Sequence, residues 1–308
     1  MSTIVTGAKR GAGHTVLSMA AMVVLVTAAG CGGGGAAADK TTTFTDDYGR
    51  TVTVPQQPRR VVSLSPAVTE IMYAIGADSL LVGRTDFCTY PPQVAEIPSI
   101  GGISNLNIES ILAQHPDLVI SGSMVGRKAT DQMDRMGTPM VCVIEKPHFD
   151  ALYDNIAAIG RLVGHERQAD SLVLLIKERK SRLDSTTTPV PSEESPTVYY
   201  VVGFGPSGNF TAGGNTFIND IIRMAGGRNI AEGTEGWSYS LEALMSEDPD
   251  YIIVRREDSA TFCNTQPYPR LSAVKEGRVI GIESSTLDLQ VPRNIDAVLY
   301  LSSKLRSN

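Results

Sequence analysis

The chain has 308 residues, of which 42% are apolar, so it can bury a core and form one large or two mid-sized domains. Its net charge is −6, and it becomes −8 without residues 1–30, which contain Lys9 and Arg10 but no acid. An acidic chain without a basic run argues against nucleic acid as a partner, since nucleic-acid binding requires basic patches.

The first residues predict export. Lys9 and Arg10 precede an apolar stretch over residues 16–29 that ends in small residues, as is typical of a signal peptide over residues 1–30. The stretch is shorter than the roughly 20 apolar residues that a membrane-spanning helix needs.

A cysteine at the end of this region predicts a lipid anchor. The run from Thr27 to Cys31 resembles a bacterial lipobox, in which the chain is cut before the cysteine and its sulfur carries diacylglycerol. Ala28 stands where leucine is usual, and the alternative is an ordinary signal peptide followed by an incidental cysteine. Because the next residues are rich in Gly, Ala and Thr, we expect a lipidated, flexible tether over residues 31–45.

The three remaining cysteines predict no metal site, since their spacing does not match one. Cys142 lies in an apolar run and is expected to be a buried thiol. Cys88 and Cys263 lie in loop-like sequence, where pairing and free thiols both stay open.

One segment of the chain occurs twice. Residues 107–120 and 240–253 place Glu, apolar pairs, a Pro-Asp dipeptide and an apolar run at the same offsets. Each copy predicts a short helix, a break and a buried strand. A strand and a glycine-terminated helix precede each copy, at residues 60–64 and 69–76, and at residues 197–202 and 216–225. The pattern predicts parallel sheets in two α/β lobes, with ligand beyond the carboxyl ends of the strands.

A helical period between the two copies predicts a connection between the lobes. Leu172, Leu175 and Ile176 follow this period within residues 167–183, and a Ser/Thr/Pro-rich connector comes next. The predicted organisation is a signal peptide at 1–30, the tether at 31–45, an N-terminal lobe at 46–150, an inter-lobe helix and connector at 151–190, and a C-terminal lobe at 191–308.

Several segments within residues 44–308 resemble one family. They are Asp47–Arg50, Pro58–Pro66, Thr69-Glu70, Asp86–Pro92, Gly101–Ile120, and Trp237 ahead of Ser240-Leu241-Glu242. They are similar to the helix-hinged substrate-binding proteins of ABC importers for iron-siderophores, haem and vitamin B12, with Asp86–Pro92, Gly101–Ile120 and Trp237 most similar to the vitamin B12 branch.

The resemblance implies two α/β lobes, joined by one long rigid helix, with a ligand cleft between them. It implies an exported, lipid-anchored monomer that carries a corrinoid to a permease dimer with its ATPase, on the periplasmic side or the outer face of the cell membrane. Haem and an Fe(III)-siderophore are the alternative ligands.

The resemblance also implies one permease-docking glutamate in each lobe, which the motifs place at Glu109 and Glu242. The internal repeat agrees, since it puts both at the same position, and exposed carboxylates suit a steered, reversible contact. The alternative is that both are ordinary charges that stabilise a helix N-terminus.

Cleft residues are expected on loops after strands. The candidates are Ser65, Pro66, Ala67, Phe87, Tyr90, Ile103 and Ser123 in the first lobe, and Phe204, Phe210, Trp237, Arg255, Arg256 and Asp288 in the second. By resemblance, Phe87 and Trp237 match aromatic positions that line the corrinoid site, although Phe87 stands where tyrosine is familiar and Ile103 where an aromatic can occur. Trp237 can alternatively be a core aromatic, but Gly236 and Ser238 favour a loop, where a flat ring suits a macrocycle.

Arg255 and Arg256 follow a predicted strand. Because neighbouring residues of an extended chain face opposite ways, only one is expected to point into the cleft. An arginine there suits a haem propionate, an anionic siderophore or the phosphate of a nucleotide loop. The alternative is a solvated charge pair with Glu257 and Asp258.

Metal and catalytic motifs are sparse. The four histidines are scattered, which argues against a carrier of free metal ions; His148 can be an axial ligand or a structural residue. The Gly-rich run at 203–208 lacks the Gly-Lys-Ser/Thr of a P-loop, and the chain has no Gly-x-Ser-x-Gly elbow. We expect neither an enzyme nor a cofactor; an exported hydrolase is the alternative from another class.

Overall fold

A computed structural model describes residues 40–103, 106–186, 193–206, 208–283 and 285–306. The predicted signal peptide and Cys31 lie outside the described residues. The tether predicted over residues 31–45 is wrong for its last five residues. These form strand β1 (Thr41–Thr45), which pairs in antiparallel register with β2 (Thr51–Pro55). Threonine is β-branched and favours extended backbone, so this polar run forms a strand even though it is largely exposed.

The first lobe is a parallel sheet with helices, as the repeat predicts. Its strands are β3 (Val61–Ser63), β4 (Leu81–Arg84), β5 (Leu118–Ser121) and β6 (Met140–Cys142), in the order β4-β3-β5-β6. Its α-helices are α1 (Pro66–Ala74), α2 (Ile108–Leu112) and α3 (Arg127–Arg135), with short 3₁₀ helices at Asp78–Leu80 and Pro92–Glu96.

The connection between the lobes contains the predicted long helix and one more helix before it. They are α4 (Ala151–Val163) and α5 (Glu166–Thr186), separated by Gly164 in the left-handed conformation. The two run antiparallel, because Lys180 near the end of α5 binds Asp150, which precedes α4, at 2.7 Å.

The second lobe repeats the plan. Its strands are β7 (Thr197–Tyr200), β8 (Arg228–Asn229), β9 (Tyr251–Arg255) and β10 (Val279–Ile282), parallel and in the order β8-β7-β9-β10. Its α-helices are α6 (Phe217–Met224), α7 (Leu241–Glu247), α8 (Ser259–Asn264), α9 (Ser272–Lys275), α10 (Ser285–Asp288) and α11 (Asn294–Leu305), with a 3₁₀ helix at Tyr268–Arg270. In both sheets the second strand of the lobe lies at one edge, followed by the first, third and fourth, so the two halves share one topology.

The likeness of the repeats extends to single backbone angles. His115 and Asp248 both have positive φ, at 47° and 42°, where each short helix ends before its Pro-Asp. The aspartates that follow also act alike, since Asp117 accepts a hydrogen bond from Arg59 N at 2.7 Å and Asp250 from Thr197 N at 2.7 Å. Each carboxylate therefore fixes the chain that enters the first strand of its own sheet.

One apolar core runs beneath both lobes. Successive strand side chains point to opposite faces, so Leu118 joins this shared core and Val119 joins a smaller cluster on the other face of its sheet. In the second lobe, Ile253 joins the shared core and Ile252 joins a smaller cluster on the other face of its sheet. Ile176 of α5 lies in the shared core between them. None of the described helices has both the length and the apolar character needed to cross a membrane.

Candidate functional site

A cleft of about 850 Å³ lies between the carboxyl ends of the two sheets. Loops after β3, β4, β5 and β6 form one wall, and loops of the second lobe form the other. Eight of the predicted residues line it: Ser65, Pro66, Phe87, Ile103, Ser123, Trp237, Arg255 and Asp288. This is the position at which open parallel sheets bind ligands, because strand ends and helix N-termini converge there.

Large apolar side chains stand exposed on both walls. Phe87 is 58% exposed and Met124 is 72% exposed on the first lobe, and Trp237 is 48% exposed on the second. The Trp237 backbone is fixed, because its carbonyl accepts a hydrogen bond from Thr211 N at 2.8 Å. A rigid loop that presents a free aromatic face suits a flat, largely apolar ligand.

An arginine–carboxylate pair forms the polar part of the second wall. Arg255 donates a hydrogen bond from Nε to Asp288 Oδ2 at 3.1 Å, its Nη2 lies 2.9 Å from the same oxygen, and the hydroxyl of Tyr200 donates to Asp288 Oδ1. Burial, and then the negative charge of Asp288, raises the pKa of Tyr200 well above its usual value. The phenol therefore stays protonated as a donor, and Arg255 pairs with Asp288 rather than with Glu257 or Asp258.

The first wall has its own polar corner. Ser123 Oγ donates to Glu145 at 2.8 Å, and Lys146 Nζ lies 3.1 Å from Asp47. Ser65 occupies the N-cap position of α1 without making a side-chain cap, so its hydroxyl is not used by the helix. These groups offer hydroxyl and carboxylate oxygens to a ligand.

Three predicted cleft residues lie elsewhere for reasons of packing. Ala67 is buried in the first turn of α1. Tyr90 lies under the guanidinium of Arg293, 3.9 Å from ring centroid to Cζ, and lines a separate cavity of about 820 Å³ bounded by α1, α5 and the start of α11. Arg256 turns away from the cleft and contacts Gly281 of β10, as strand alternation requires.

Two predicted phenylalanines are also outside the cleft. Phe204 packs edge-on against Phe262 and Tyr268, with centroids 5.2 and 5.8 Å away, so it belongs to the apolar cluster of the second lobe. Phe210 covers Gly203, to which it is joined by an antiparallel bridge. Both lie in loop sequence, but their rings fold back onto their own lobe.

His148 is not a cleft residue either. Its side chain is exposed and its Nδ1 lies 3.9 Å from Asp220, in a shallow depression outside the cleft. Among the described residues, no group of three His, Cys, Asp or Glu side chains is placed to hold a metal ion. Cys88, Cys142 and Cys263 are free thiols, so the pairing that the sequence left open is not formed.

Polar contacts join the lobes behind the cleft. Glu70 of α1 binds Arg293 at the start of α11 through two hydrogen bonds of 2.8 and 2.9 Å. Burial raises the pKa of Glu70, although the hydrogen bonds and charge of Arg293 lower it. The buried Gln290 donates to the carbonyls of Lys146 and His148 at 3.2 and 2.8 Å, so the segment that carries Asp288 is tied to the first lobe.

Glu109 and Glu242 occupy matching surface positions. Each is the second residue of its short helix and is exposed. Asn107 caps the first helix by accepting from Ser110 N, and Ser240 caps the second by accepting from Ala243 N, both at 3.0 Å. Because the caps are supplied by other residues, both carboxylates remain available at the surface.

Several cleft residues escaped the sequence analysis: Asp86, Met124, Glu145, Lys146, Asn215 and Glu257. Most directly follow strands that the repeat had located, so position after a strand was the signal that could have found them. Their charged or flexible side chains resemble ordinary surface residues in sequence.

Comparisons with known proteins agree with this architecture. The chain is 28% identical over 268 residues to the uncharacterized ABC transporter substrate-binding lipoprotein YvrC of Bacillus subtilis, covering 85% of each chain. It is 28% identical over 276 residues to a cobalamin-binding protein of Halobacterium salinarum, covering 85% of this chain and 73% of the relative.

A solved structure has the same fold. The periplasmic haem-binding protein of Pseudomonas aeruginosa superposes with a TM-score of 0.72 at 26% identity, covering 80% of this chain and 92% of that one. The family model described as periplasmic binding protein matches residues 61–286, which is most of the chain and includes both four-stranded sheets and most of the cleft lining. The chain therefore belongs to the periplasmic binding protein family.

Proposed function

We propose that this chain is the substrate-binding lipoprotein of an ABC importer, and that it captures a corrinoid and delivers it to the permease. The observation that carries the proposal is the cleft itself. It is large enough for a macrocycle, and Phe87 and Met124 face it from one lobe and Trp237 from the other. The relatives named as a substrate-binding lipoprotein and as a cobalamin-binding protein support the same role.

Haem and an Fe(III)-siderophore are the alternative ligands, supported by the similar haem-binding structure. Membership of a family of binding proteins favours solute capture over an exported hydrolase. A hydrolase would turn over an ester or a phosphate, whereas a binding protein is stabilised by its ligand and releases it unchanged.

Titration of the purified protein tests the ligand. Cyanocobalamin, cobinamide, haem and ferric siderophores are added separately while Trp237, the only tryptophan, reports by fluorescence. We expect saturable quenching and a higher melting temperature with the corrinoids. Saturable haem binding without any response to corrinoids would refute the corrinoid assignment.

The glutamates Glu109 and Glu242 are the proposed contacts with the permease. Their equivalent, exposed positions on the two lobes support this, because steered association favours complementary surface charge. Reversal of both to lysine is expected to abolish uptake while ligand affinity stays unchanged. Reversal of Glu166, an exposed glutamate at the start of α5, is the matched control. Normal uptake by the Glu109/Glu242 double variant would exclude the docking role.

Export and anchoring at Cys31 complete the proposal. The name of the Bacillus subtilis relative, a lipoprotein, supports them. Mass spectrometry of protein from the membrane fraction is expected to find diacylglycerol on Cys31 as the first residue. A Cys31→Ser variant should appear in the soluble extracytoplasmic fraction, and its retention in the membrane would contradict the anchor.

A further inference from the structure

The charge of the cleft carries information about its ligand. Its lining contains four carboxylates and two cationic side chains, a net formal charge of −2: Asp86, Glu145, Glu257 and Asp288 against Lys146 and Arg255. The internal residues outside the described ranges, 104–105, 187–192, 207 and 284, have no ionisable side chain and leave this balance unchanged.

Both cations are already paired with carboxylates of the protein. Lys146 is paired with Asp47, and Arg255 is held to Asp288 by one hydrogen bond and an ion pair at 2.9 Å. Helices α1 and α6 also begin at the cleft, where Pro66 and Phe217 line it. Each N-terminus is equivalent to roughly half a positive charge at most, so the two together do not reverse the sign.

Asp288 is the group that determines this state of Arg255. It lies in α10 on the cleft wall and is itself fixed by the hydroxyl of Tyr200 on β7. The guanidinium of Arg255, about one third exposed, would otherwise face the cleft with a vacant fork suited to a carboxylate or phosphate. Arg255 would therefore form an anion-binding site in the cleft if it were not paired with Asp288.

We infer that Asp288 makes the cleft prefer chelates that carry no net negative charge, and that it weakens the binding of those with free carboxylates. The inference rests on the proposed function only in that the cleft binds a metal chelate. Among the alternatives, neutral or cationic corrinoids and cationic hydroxamate siderophores then fit the cleft, whereas haem with two ionised propionates and catecholate siderophores fit it less well.

The unmodified protein provides the first test. Ferric protoporphyrin IX and its dimethyl ester share one macrocycle and differ in their carboxylates. We expect the ester to bind about tenfold more tightly than the acid at low salt, since like charges repel near a protein surface, and the ratio to shrink as salt is added. Cationic aquacyanocobinamide should bind at least as tightly as neutral cyanocobalamin. Tighter binding of the acid than of the ester would overturn the inference.

Substitution of Asp288 is the second test. Asp288→Asn keeps the shape and still accepts from Tyr200, but leaves Arg255 without its anion. We expect its affinity for ferric protoporphyrin IX to rise by about tenfold to a hundredfold, as a charged hydrogen bond to a propionate provides. The exposed Asp170 of α5 gives the control, because Asp170→Asn changes the net charge equally and should change affinity less than about twofold.

A third variant separates a freed arginine from a loss of charge. Adding Arg255→Gln to Asp288→Asn should remove the gain. An Asp288→Asn protein that is folded by circular dichroism and binds the porphyrin no better than Asp170→Asn would overturn the inference. If Asp288→Asn binds the porphyrin more tightly while the unmodified protein does not bind corrinoids, the corrinoid assignment fails and the role of Asp288 stands.

Discussion

The buried ion pair between Glu70 and Arg293 joins the two lobes and contributes measurably to the free energy of unfolding. The carboxylate and guanidinium meet through two hydrogen bonds of 2.8 and 2.9 Å, and their side chains are only 4% and 12% exposed. Removing one partner of a buried pair costs about 3–5 kcal/mol, because the other charge is left desolvated. Arg293 retains Thr286 at 3.0 Å and Glu283 at 3.5 Å, so we expect Glu70→Gln to cost about 3 kcal/mol, the lower end of that range.

Urea unfolding at pH 7 measures this loss. The same substitution in a half-exposed pair, Glu232→Gln beside Arg223, is the control and should cost less than about 1 kcal/mol. In thermal unfolding, 3 kcal/mol corresponds to a fall in melting temperature of roughly 5 °C for a chain of about 300 residues. Burial raises the pKa of Glu70 in spite of Arg293, so desolvation is the larger effect.

The same reasoning predicts a rescue. Replacing both partners by apolar residues, Glu70→Leu with Arg293→Met, should recover most of the stability, since no unpaired charge remains in the interface. If Glu70→Gln loses no more stability than Glu232→Gln, the pair acts as an ordinary surface contact and the argument from burial is wrong.

Three further predictions follow from the cleft, the repeat and the core. Trp237→Ala should weaken corrinoid binding by about thirtyfold in calorimetric titration, as loss of a central aromatic contact does. Tyr300→Ala, on the exposed face of α11, is the control and should leave binding unchanged. Equal effects of the two substitutions would show that Trp237 does not contact the ligand. Burial raises the pKa of Asp248, but hydrogen bonds from Ser272, together with the charges of Lys275 and Arg278, hold that pKa below its usual value. The ionised carboxylate therefore stabilises the fold at neutral pH, and this stabilisation is lost as the pH falls through the folded pKa. Asp248→Asn, which tolerates positive φ, should therefore lose less stability than the parent between pH 7 and about pH 3, and parallel pH curves would contradict this. Finally, far-UV circular dichroism and Trp237 fluorescence should report the same urea midpoint, because one core underlies both lobes; separate midpoints would show that the lobes unfold independently.

The repeated plan is the part of the fold that the sequence predicts best. Apolar runs that follow Pro-Asp located β5 and β9, and a helical period located α5 nearly to its ends. These features depend on neighbours in sequence, which is why one chain is enough to find them. The strand at Thr41–Thr45 was missed because its residues are polar and largely exposed, so the β-branched threonines lack the alternation of apolar and polar residues that predicts a strand.

Contacts between distant residues are what the sequence does not reveal. Arg255 and Asp288 were separate candidates as ligand contacts, yet they are 33 positions apart and bind each other. Glu70 and Arg293 are 223 positions apart, and nothing near either residue indicates the other. Phe204 follows a strand, as a cleft residue should, but the deep position of Phe262 and Tyr268 draws its ring into the core.

The two copies of the repeat differ at one position of the cleft wall. The repeat places Gly122 and Arg255 at equivalent positions, directly after β5 and at the last residue of β9. A Cβ at Gly122 would lie 2.9 Å from Ser65 Oγ, so the first lobe has no space there for the side chain that the second lobe uses. Glu109 and Glu242, by contrast, keep the same residue on the same kind of capped helix. Two equivalent surface glutamates suit contact with the two equivalent halves of a permease dimer, whereas a chelate with unlike faces suits a cleft whose two walls differ. The unlike residues in the cleft and the matching exposed glutamates are therefore both in keeping with the proposed transport role.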